Sequence, residues 1–337
     1  MNTKPIYLFA AAPLIQWGAF VDSYYAWDFN RPVSQERAYT TQQPKSNSLG
    51  LNLAMIGAKV ESDRKRGTFT LQHGDSVDFN YAGEPNQGEG IKHVQEAYAG
   101  MKLGNLWLDA GIYLGHIGNE SWISKDNWTY SRSLSAEFSP YYATGVRLSG
   151  ERWQVHLMNG WQNIRENNSN KAIGTQYVCR FGEATLTYNT QVGEEVFVGR
   201  NTSGLRTYQN LHLDVPGEKI SWRNSWDIGT QNVPGVKKQA NVWAATSSQW
   251  RWKLTENWLQ AFRLEYFHDQ KGVITGATNT GGFRVIGVSS NFDWRPEEGL
   301  LVRFEAKRLQ ATNAIYPGKE RSQQGSTVLA TSLGVSF

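Results

Sequence analysis

Apolar and polar residues alternate along most of the chain, so that every second side chain falls on the same face of an extended strand. Residues 106–115 show the pattern most clearly, because Leu, Ile or Ala occupies every second position and Trp, Asp, Gly and Tyr occupy the others. A similar run, residues 96–103, precedes it. Only Gly104 and Asn105 separate the two runs. Both residue types tolerate a positive φ, so the segment predicts a β-hairpin.

The same hairpin unit recurs from one end of the chain to the other. Short turns are predicted at residues 61–67, 104–105, 150–151, 182–183, 216–218, 254–257 and 295–299. Longer polar segments separate the hairpins at residues 31–47, 74–92, 116–136, 163–171, 193–205, 231–239, 270–281 and 311–324. Seven short turns therefore alternate with eight long segments, which predicts about sixteen strands.

This pattern predicts an all-β fold that is a single transmembrane antiparallel β-barrel, with short periplasmic turns and longer external loops. Strands of about 10 residues, the length that crosses a bilayer at a tilt, would account for about half of the chain. An even number of strands places both termini on the periplasmic side. The last run, residues 327–337, alternates up to a terminal Phe337. Such an ending resembles the signal by which bacterial outer-membrane proteins are recognised for assembly.

The composition supports a barrel and excludes a helical membrane protein. The chain has 337 residues, of which 13% are aromatic and 19% charged. Its mean hydropathy is −0.53, and no apolar run approaches the roughly 18 residues of a transmembrane helix. In a barrel, lipid-facing and lumen-facing residues alternate, so the average stays polar, and Trp and Tyr are enriched at the two membrane interfaces.

Charge and cysteine content limit the classes of partner and cofactor. The net charge of +4 is dispersed, and the densest basic run, Arg64-Lys65-Arg66, is too short for a nucleic-acid patch. The single Cys179 excludes an intramolecular disulfide and a multi-cysteine metal site. No cofactor, metal or nucleic acid is therefore expected. Residues 1–16 are interpreted either as a remnant of a secretory signal or as an apolar lead-in to the barrel, residues 17–337.

Several short motifs occur in a fixed order along the chain. The first, residues 18–32, reads Gly-Ala-Phe-Val-Asp-Ser-Tyr-Tyr-Ala-Trp-Asp-Phe-Asn-Arg-Pro. The others lie at residues 118–120, 129–134, 139–148, 159–161 and 263–266 and at Asp269. This set resembles the OmpL-like β-barrel porins of Gram-negative bacteria. The resemblance implies a single-chain outer-membrane channel and leaves the substrate open.

Assigning the apolar face to lipid leaves a charged inward face, because Arg or Lys facing lipid near the midplane costs about 2–4 kcal/mol. The predicted pore-lining residues are Asp22, Asp109, Arg147, Arg180, Arg223, Asp227, Arg251, Arg263, Glu265, Arg303, Glu305 and Lys307. For any one of them, a solvated or mutually paired residue of the wall is the simpler interpretation. Together, the bases of the later strands are expected to form a ladder.

The longest loop, residues 116–136, carries Glu120, Asp126 and Arg132 and is expected to fold into the barrel and narrow it. Opposed charges across a constriction create a transverse field that sets weak ion selectivity. The sequence therefore favours a water-filled pore with a slight anion preference, through which small hydrophilic solutes and ions diffuse passively. Its other partner is outer-membrane lipid, and assembly as a homotrimer stays open.

Three alternatives remain beside the porin. A receptor or adhesin barrel would bind ligands through its external loops. A barrel hydrolase would need a nucleophile, a histidine base and an orienting partner, and none of the six histidines lies in a recognisable nucleophile motif. A carbohydrate groove would use a subset of tryptophans such as Trp122, Trp128 and Trp161, which lie in or beside loops.

Overall fold

The chain folds into one closed antiparallel β-barrel. The computed structural model describes residues 15–84, 90–196, 203–232, 240–277 and 281–337. Within these ranges sixteen strands pair in chain order, and β1 pairs with β16 to close the barrel. The predicted barrel and its strand number are thereby confirmed. Of the predicted N-terminal lead-in, residues 1–16, the first fourteen positions lie outside the described residues. Strand β1 begins at Ile15.

The strands differ in length. They are β1 Ile15–Asp28, β2 Ser48–Glu61, β3 Lys65–His73, β4 Val94–Leu103, β5 Leu106–Leu114, β6 Tyr142–Ser149, β7 Trp153–Met158, β8 Ala172–Phe181, β9 Ala184–Val196, β10 Ser203–Val215, β11 Ile220–Asn232, β12 Ala240–Lys253, β13 Trp258–Asp269, β14 Phe283–Trp294, β15 Leu300–Ala311 and β16 Gly325–Ser336. The barrel wall is lowest at β7, with six residues, and reaches fourteen residues in β12.

The two ends of the barrel are distinguished by their connections. All seven predicted hairpin turns lie at one end, which we call the turn end, and the long connections lie at the other, the loop end. The connection from β9 to β10 is shorter than the predicted 193–205, because β9 continues to Val196 and β10 begins at Ser203. The connection from β3 to β4 holds a short helix, α1, Asp75–Asn80, and a single 3₁₀ turn, Ile91–His93. No helix in the described ranges has the length and apolarity needed to cross a membrane.

Burial alternates along the strands as the sequence pattern predicts. In β15, Arg303, Glu305 and Lys307 point inward and are buried, whereas Phe304 between them is exposed on the outer face. The exposed outward positions of the other strands are mostly aliphatic or aromatic. The apolar outer face would otherwise be unfavourable in water, so its solvent is hydrocarbon.

A β-bulge at Asn52 breaks the regular pairing of β1 with β2, since Asp22 pairs with Leu53 and Ser23 with Leu51. The bulge turns the Asn52 side chain inward, where its amide donates to an Asp22 carboxylate oxygen at 2.8 Å. Its carbonyl oxygen Oδ1 accepts from the backbone N–H of Gln43 at 2.9 Å. The irregularity therefore fastens the connection between β1 and β2 to the interior.

Candidate functional site

The barrel interior is occupied by the connection from β5 to β6, residues 115–141, which we call the inner loop. It contains the predicted loop 116–136 and continues to residue 141. The inner loop enters from the loop end and reaches the turn end, where Lys125 and Asp126 share a cleft with the turn between β14 and β15. It holds a single 3₁₀ turn, Ser124–Asp126, and a short helix, α2, Leu134–Glu137.

Arg263 on β13 fastens the middle of the inner loop to the wall. Its Nη1 donates to the Ser131 carbonyl at 2.6 Å and to Thr129 Oγ1 at 2.5 Å, and its Nη2 donates to Ser131 Oγ at 3.0 Å. Two carboxylates of the wall compensate the buried charge, with Glu265 at 3.3 Å and Glu305 at 3.6 Å. Arg263 is fully buried, so its charge is held by these partners and not by water.

Two further bases of the predicted ladder bind the inner loop through its backbone. Arg303 donates to the carbonyl oxygens of Ser124 at 2.6 Å and Asn127 at 2.7 Å. Lys307 donates to the carbonyl oxygen of Arg132 at 3.0 Å. These three members of the predicted ladder contact the loop directly and do not face it across an open gap, and carbonyl oxygens of the loop attract their cationic side chains.

The acids of the same wall bind the donors of the inner loop. Glu305 accepts from the Ser131 backbone N–H at 2.6 Å, and Glu265 accepts from the Leu134 backbone N–H at 2.6 Å. Two more predicted pore-lining acids bind loop hydroxyls in the same way. They are Asp22, which accepts from Ser124 Oγ at 2.6 Å, and Asp227, which accepts from Ser135 Oγ.

The charged residues predicted for the constriction lie in three different settings. Glu120 is buried, accepts from the Ser133 N–H and hydroxyl, and lies 3.7 Å from Arg263. Arg132 is buried and pairs with Glu137 at 2.9 Å. Asp126 is exposed and pairs with its neighbour Lys125 at 2.7 Å. Glu120 and Arg132 therefore stabilise the loop's own fold and docking, and only Asp126 is left in contact with solvent.

The opposite wall leaves space beside the inner loop. A cavity of about 370 Å³ lies between the loop and strands β6 to β8. It is lined by the wall residues Arg147, Gln154 and Gln176 and by loop residues that include His116, Glu120, Trp122 and Tyr141. On β5, Asp109 is shared by two guanidiniums, since Arg66 lies 2.5 Å and Arg147 2.8 Å from its carboxylate. This cluster carries one positive charge in excess.

Other predicted pore-lining bases lie near the turn end. The guanidinium carbons of Arg223 and Arg251 lie 4.5 and 4.7 Å from the Trp128 ring centroid of the inner loop. Arg223 also donates to Gln249, whereas Arg251 forms no hydrogen bond or ion pair with any described residue. Arg180 has the predicted inward parity, but it lies one residue from the end of β8, where its side chain is 56% exposed.

Apolar side chains fill the loop end of the interior. Inward residues of β10 and β12 to β15 pack there with side chains from four connections and the inner loop, namely Tyr39, Ile117, Leu134, Phe138, Trp161, Val273, Ile274, Ile315 and Tyr316. We call this cluster the apolar cap. Trp243 of β12 lies at its centre and packs against Gly229, where a Cβ atom would overlap the indole ring. The lumen that the described residues form is therefore not uniformly polar.

The three tryptophans considered for a carbohydrate groove lie apart. Trp122 is buried and donates from Nε1 to Gln72 at 3.0 Å. Trp161 packs edge-on against Tyr208 in the apolar cap, at 5.0 Å between ring centroids. Trp128 is flanked by the two arginines described above. The three rings share no surface on which a sugar would stack.

The sequence pattern missed the loop hydroxyl groups that contact buried charges of the wall and, for Ser133, of the inner loop itself. Thr129, Ser131, Ser133 and Ser135 all contact buried charged groups. Their loop position made them appear as ordinary solvent-exposed residues. Two clues were present, because residues 129–134 form one of the motifs of the family resemblance and because three serines alternate there at a spacing of two.

A closed sixteen-stranded antiparallel barrel with a loop folded into its lumen is the architecture of an outer-membrane porin. The chain belongs to the family described as "Putative beta-barrel porin-2, OmpL-like", whose model matches residues 14–337. The family resemblance of the sequence is thereby confirmed. No curated protein matches the chain.

Solved outer-membrane proteins share the fold at low sequence identity. The chain is similar to the trimer form of OmpT of Vibrio cholerae, with a TM-score of 0.64, 11% identity, and 97% of this chain and 100% of that chain covered. It is similar to the anion-selective porin of Comamonas acidovorans, with a TM-score of 0.65, 8% identity, and 96% and 99% covered. For the channel DcaP of Acinetobacter baumannii, the TM-score is 0.63 at 10% identity, with 97% and 98% covered.

Proposed function

We propose that this protein is an outer-membrane channel that passes small hydrophilic solutes and ions by passive diffusion, without catalytic activity. The observation that carries the proposal is the polar cavity between the inner loop and strands β6 to β8. On this side of the lumen, no network of charged residues binds the inner loop to the described part of the wall. A solute that crosses the barrel would therefore pass here, along Arg147, Gln154 and Gln176.

The path is covered toward the loop end. His116 of the inner loop stacks on the inward His156, with 4.2 Å between ring centroids, and donates from Nε2 to the Thr190 carbonyl at 3.0 Å. The apolar cap fills the adjoining part of the interior. Conduction through this conformation thus requires that the covering side chains move. Brief openings from a mostly closed state are the expected single-channel behaviour.

The fixed charges near the turn end of the lumen favour anions. Arg66 and Arg147 share one carboxylate, and Arg251 has none within ion-pair distance in the described part of the chain. An excess of fixed positive charge raises the local concentration of anions and lowers that of cations. We place the turn end in the periplasm and the loop end outside the cell, since outer-membrane barrels have short periplasmic turns.

A closed receptor barrel is the second candidate, and the apolar cap is the observation that favours it. A cap built from four connections and the inner loop would support external loops that bind a ligand without admitting it. Such a barrel would not conduct. Assembly as a homotrimer is compatible with both functions and is left to the same measurements.

Planar-bilayer recording of the purified protein tests the proposal. A channel should give discrete conductance steps and, in a salt gradient, a reversal potential of the sign expected for anions. Liposome swelling with sugars of increasing size then measures the width of the path. An absence of conductance both in the native protein and after removal of the inner loop would leave the receptor barrel as the function.

A further inference from the structure

The outer face of the barrel carries an unusual pair of arginines at the loop end. Arg308 on β15 and Arg284 on β14 both face outward, on the side of the wall that contacts lipid. Neither forms an ion pair within the described ranges. Other loop-end bases do have acidic partners, since Lys45 pairs with Asp75 at 2.8 Å and Lys92 with Asp78 at 2.7 Å. The two arginines are thus positive charges without a counterion among the described residues.

Arg308 is held in a fixed position and is not a freely moving surface side chain. Its Nη1 donates to Thr327 Oγ1 at 2.8 Å, and its Nη2 donates to Gln310 Oε1 at 2.8 Å. The guanidinium lies over Gly325 of β16, where a Cβ atom would overlap it. Neutral acceptors orient the group but leave its charge uncompensated, so it is prepared for an anion.

Two apolar grooves lie on the same outer face, next to this arginine in the direction of the turn end. One, of about 480 Å³, runs between Trp27 and Phe304 over the small residues Ser290 and Ala306. The other, of about 650 Å³, lies between β2 and β15. Tyr25 and Thr331 line both grooves. Ala306, which lines the first groove, is two positions from Arg308 on the same strand, a distance of about 7 Å. The arginine and the grooves therefore form one continuous surface.

We infer that this face binds a phosphorylated, multiply acylated lipid of the outer leaflet, with one phosphate at Arg308, a second toward Arg284 four register positions nearer the loop end, and acyl chains in the two grooves. Charge complementarity argues for this occupant, because an arginine fork binds phosphate oxygens in pairs. Arg31 adds a third base, with its guanidinium 5.6 Å from the Trp27 ring. A second copy of the chain related by a two-fold axis is less suitable, since that contact would bring like charges together without a carboxylate to separate them.

The inference rests on the proposed function only for orientation, which places these residues in the outer leaflet. Lipid binding is measured on the purified barrel in detergent, whereas conduction is measured in bilayers, so either can fail alone. The probe is diphosphoryl lipid A, titrated against the full chain and followed by native mass spectrometry. Lipid A freed of its phosphates is the probe that reports the grooves alone.

Four variants separate the two parts of the site. The double variant R284Q/R308Q should weaken binding of diphosphoryl lipid A about tenfold or more and leave binding of the phosphate-free lipid unchanged. Its matched control is K171Q, at the loop end of β8, where the native lysine pairs with Glu166. A306W should fill one groove and weaken both lipids, whereas A110W, on the outer face of β5, should weaken neither.

Three results would overturn the inference. One is equal binding of the two lipids to the native barrel. Another is retention of full affinity by R284Q/R308Q. The third is an oligomer whose formation excludes lipid A and is abolished by A306W, which would assign the grooves to a second copy of the chain. Correct folding of every variant is checked by the heat-dependent shift in gel mobility that an intact barrel shows.

Discussion

Arg263 on β13 donates to both the carbonyl oxygen and the hydroxyl of Ser131, at 2.6 and 3.0 Å, across 132 positions of the chain. This pair joins the wall to the segment that occupies the lumen. Carboxylates surround the guanidinium, because Glu265 and Glu305 lie within 3.6 Å of it and Glu120 lies at 3.7 Å. Removal of one partner therefore leaves the others buried and uncompensated.

We expect R263Q to destabilise the barrel by about 3–5 kcal/mol, the cost of breaking a buried charge pair from one side. S131A removes only the hydroxyl and should cost about 1–3 kcal/mol, since the hydrogen bond is to a charged group. The measurement is the temperature at which gel mobility changes from the folded to the unfolded form. R180Q, at an exposed inward position near the turn end, serves as the control and should melt like the native protein.

The inner loop is expected to restrict conductance. Replacement of residues 119–137 by a short Gly-Ser linker removes the bonds to Arg263, Arg303 and Lys307 and should raise single-channel conductance several-fold, because the segment that fills the middle of the lumen, with the Leu134 contact to the apolar cap, is then absent. A Gly-Ser segment of the native length is the matched control, because it keeps the length of the loop and lacks its side chains. If both replacements leave the conductance at its native value, the ions take another route.

Anion preference is expected to depend on two bases near the turn end. R147Q removes one of the two guanidiniums that share Asp109, and R251Q removes a charge that lies over Trp128 and has no ion-pair partner among the described residues. Each should move the reversal potential in a salt gradient toward zero, and the double variant should move it furthest. R152Q, at the exposed turn between β6 and β7, should leave it unchanged. A native channel that prefers cations would contradict the assignment of these residues.

Low pH should stabilise a contact at the loop end between the β3–β4 connection and the β7–β8 connection. Glu84 is buried and accepts from the Ile164 backbone N–H at 2.6 Å. Burial raises the pKa of its carboxyl above the ordinary value, and neighbouring N–H donors and Arg165 oppose this shift. A raised folded-state pKa means that the folded state binds more protons, so stability falls as pH rises through that pKa.

The E84Q variant isolates this effect, because Gln stays neutral at every pH. We expect E84Q to melt above the native protein at pH 7 and together with it at acid pH, where Glu84 is also protonated. Melting curves from pH 4 to 8 measure the difference. If E84Q instead melts below the native protein at pH 7 and the two converge at acid pH, the carboxylate form is the one that the fold favours.

Packing of the apolar cap can be tested at a single glycine. G229A places a methyl group where the Trp243 ring now lies, and overpacking of this kind costs about 1–3 kcal/mol. G18A is the matched control, since Gly18 is also in a strand but has no atom within 4 Å of the new methyl group. Equal melting temperatures of the two variants would indicate that the cap is loosely packed.

The strands could be predicted from the sequence because their environment is periodic. Lipid on one side and lumen on the other impose a period of two, so Asp109, Arg147 and Arg263 were placed on the inward face by parity alone. Closure of the sheet followed from the alternation of short and long connections. The sequence pattern ends β9 too early and begins β10 too late, because polar residues continue both strands beyond the apolar layer.

The contents of the lumen could not be predicted in the same way. The inner-loop partners of Arg263, Arg303 and Lys307 are carbonyl and hydroxyl groups more than 130 positions away. Their positions depend on the path of one loop, and no short-range pattern encodes that path. The apolar cap was missed for a related reason. Residues such as Phe267 and Trp243 lie on the polar parity, and the connections that cover them carry isolated apolar residues in polar surroundings.

The short strands β6 and β7 also affect the thickness of the membrane next to the barrel. Six residues of β7 extend about 20 Å along the strand and less along the membrane normal, because barrel strands are tilted. The fourteen residues of β12 reach more than twice as far. We therefore expect lipids next to β7 to meet a thinner hydrophobic belt than lipids on the far side, and the bilayer to thin toward that flank of the protein. Such uneven thickness would favour particular orientations of the barrel among its neighbours in the plane of the membrane.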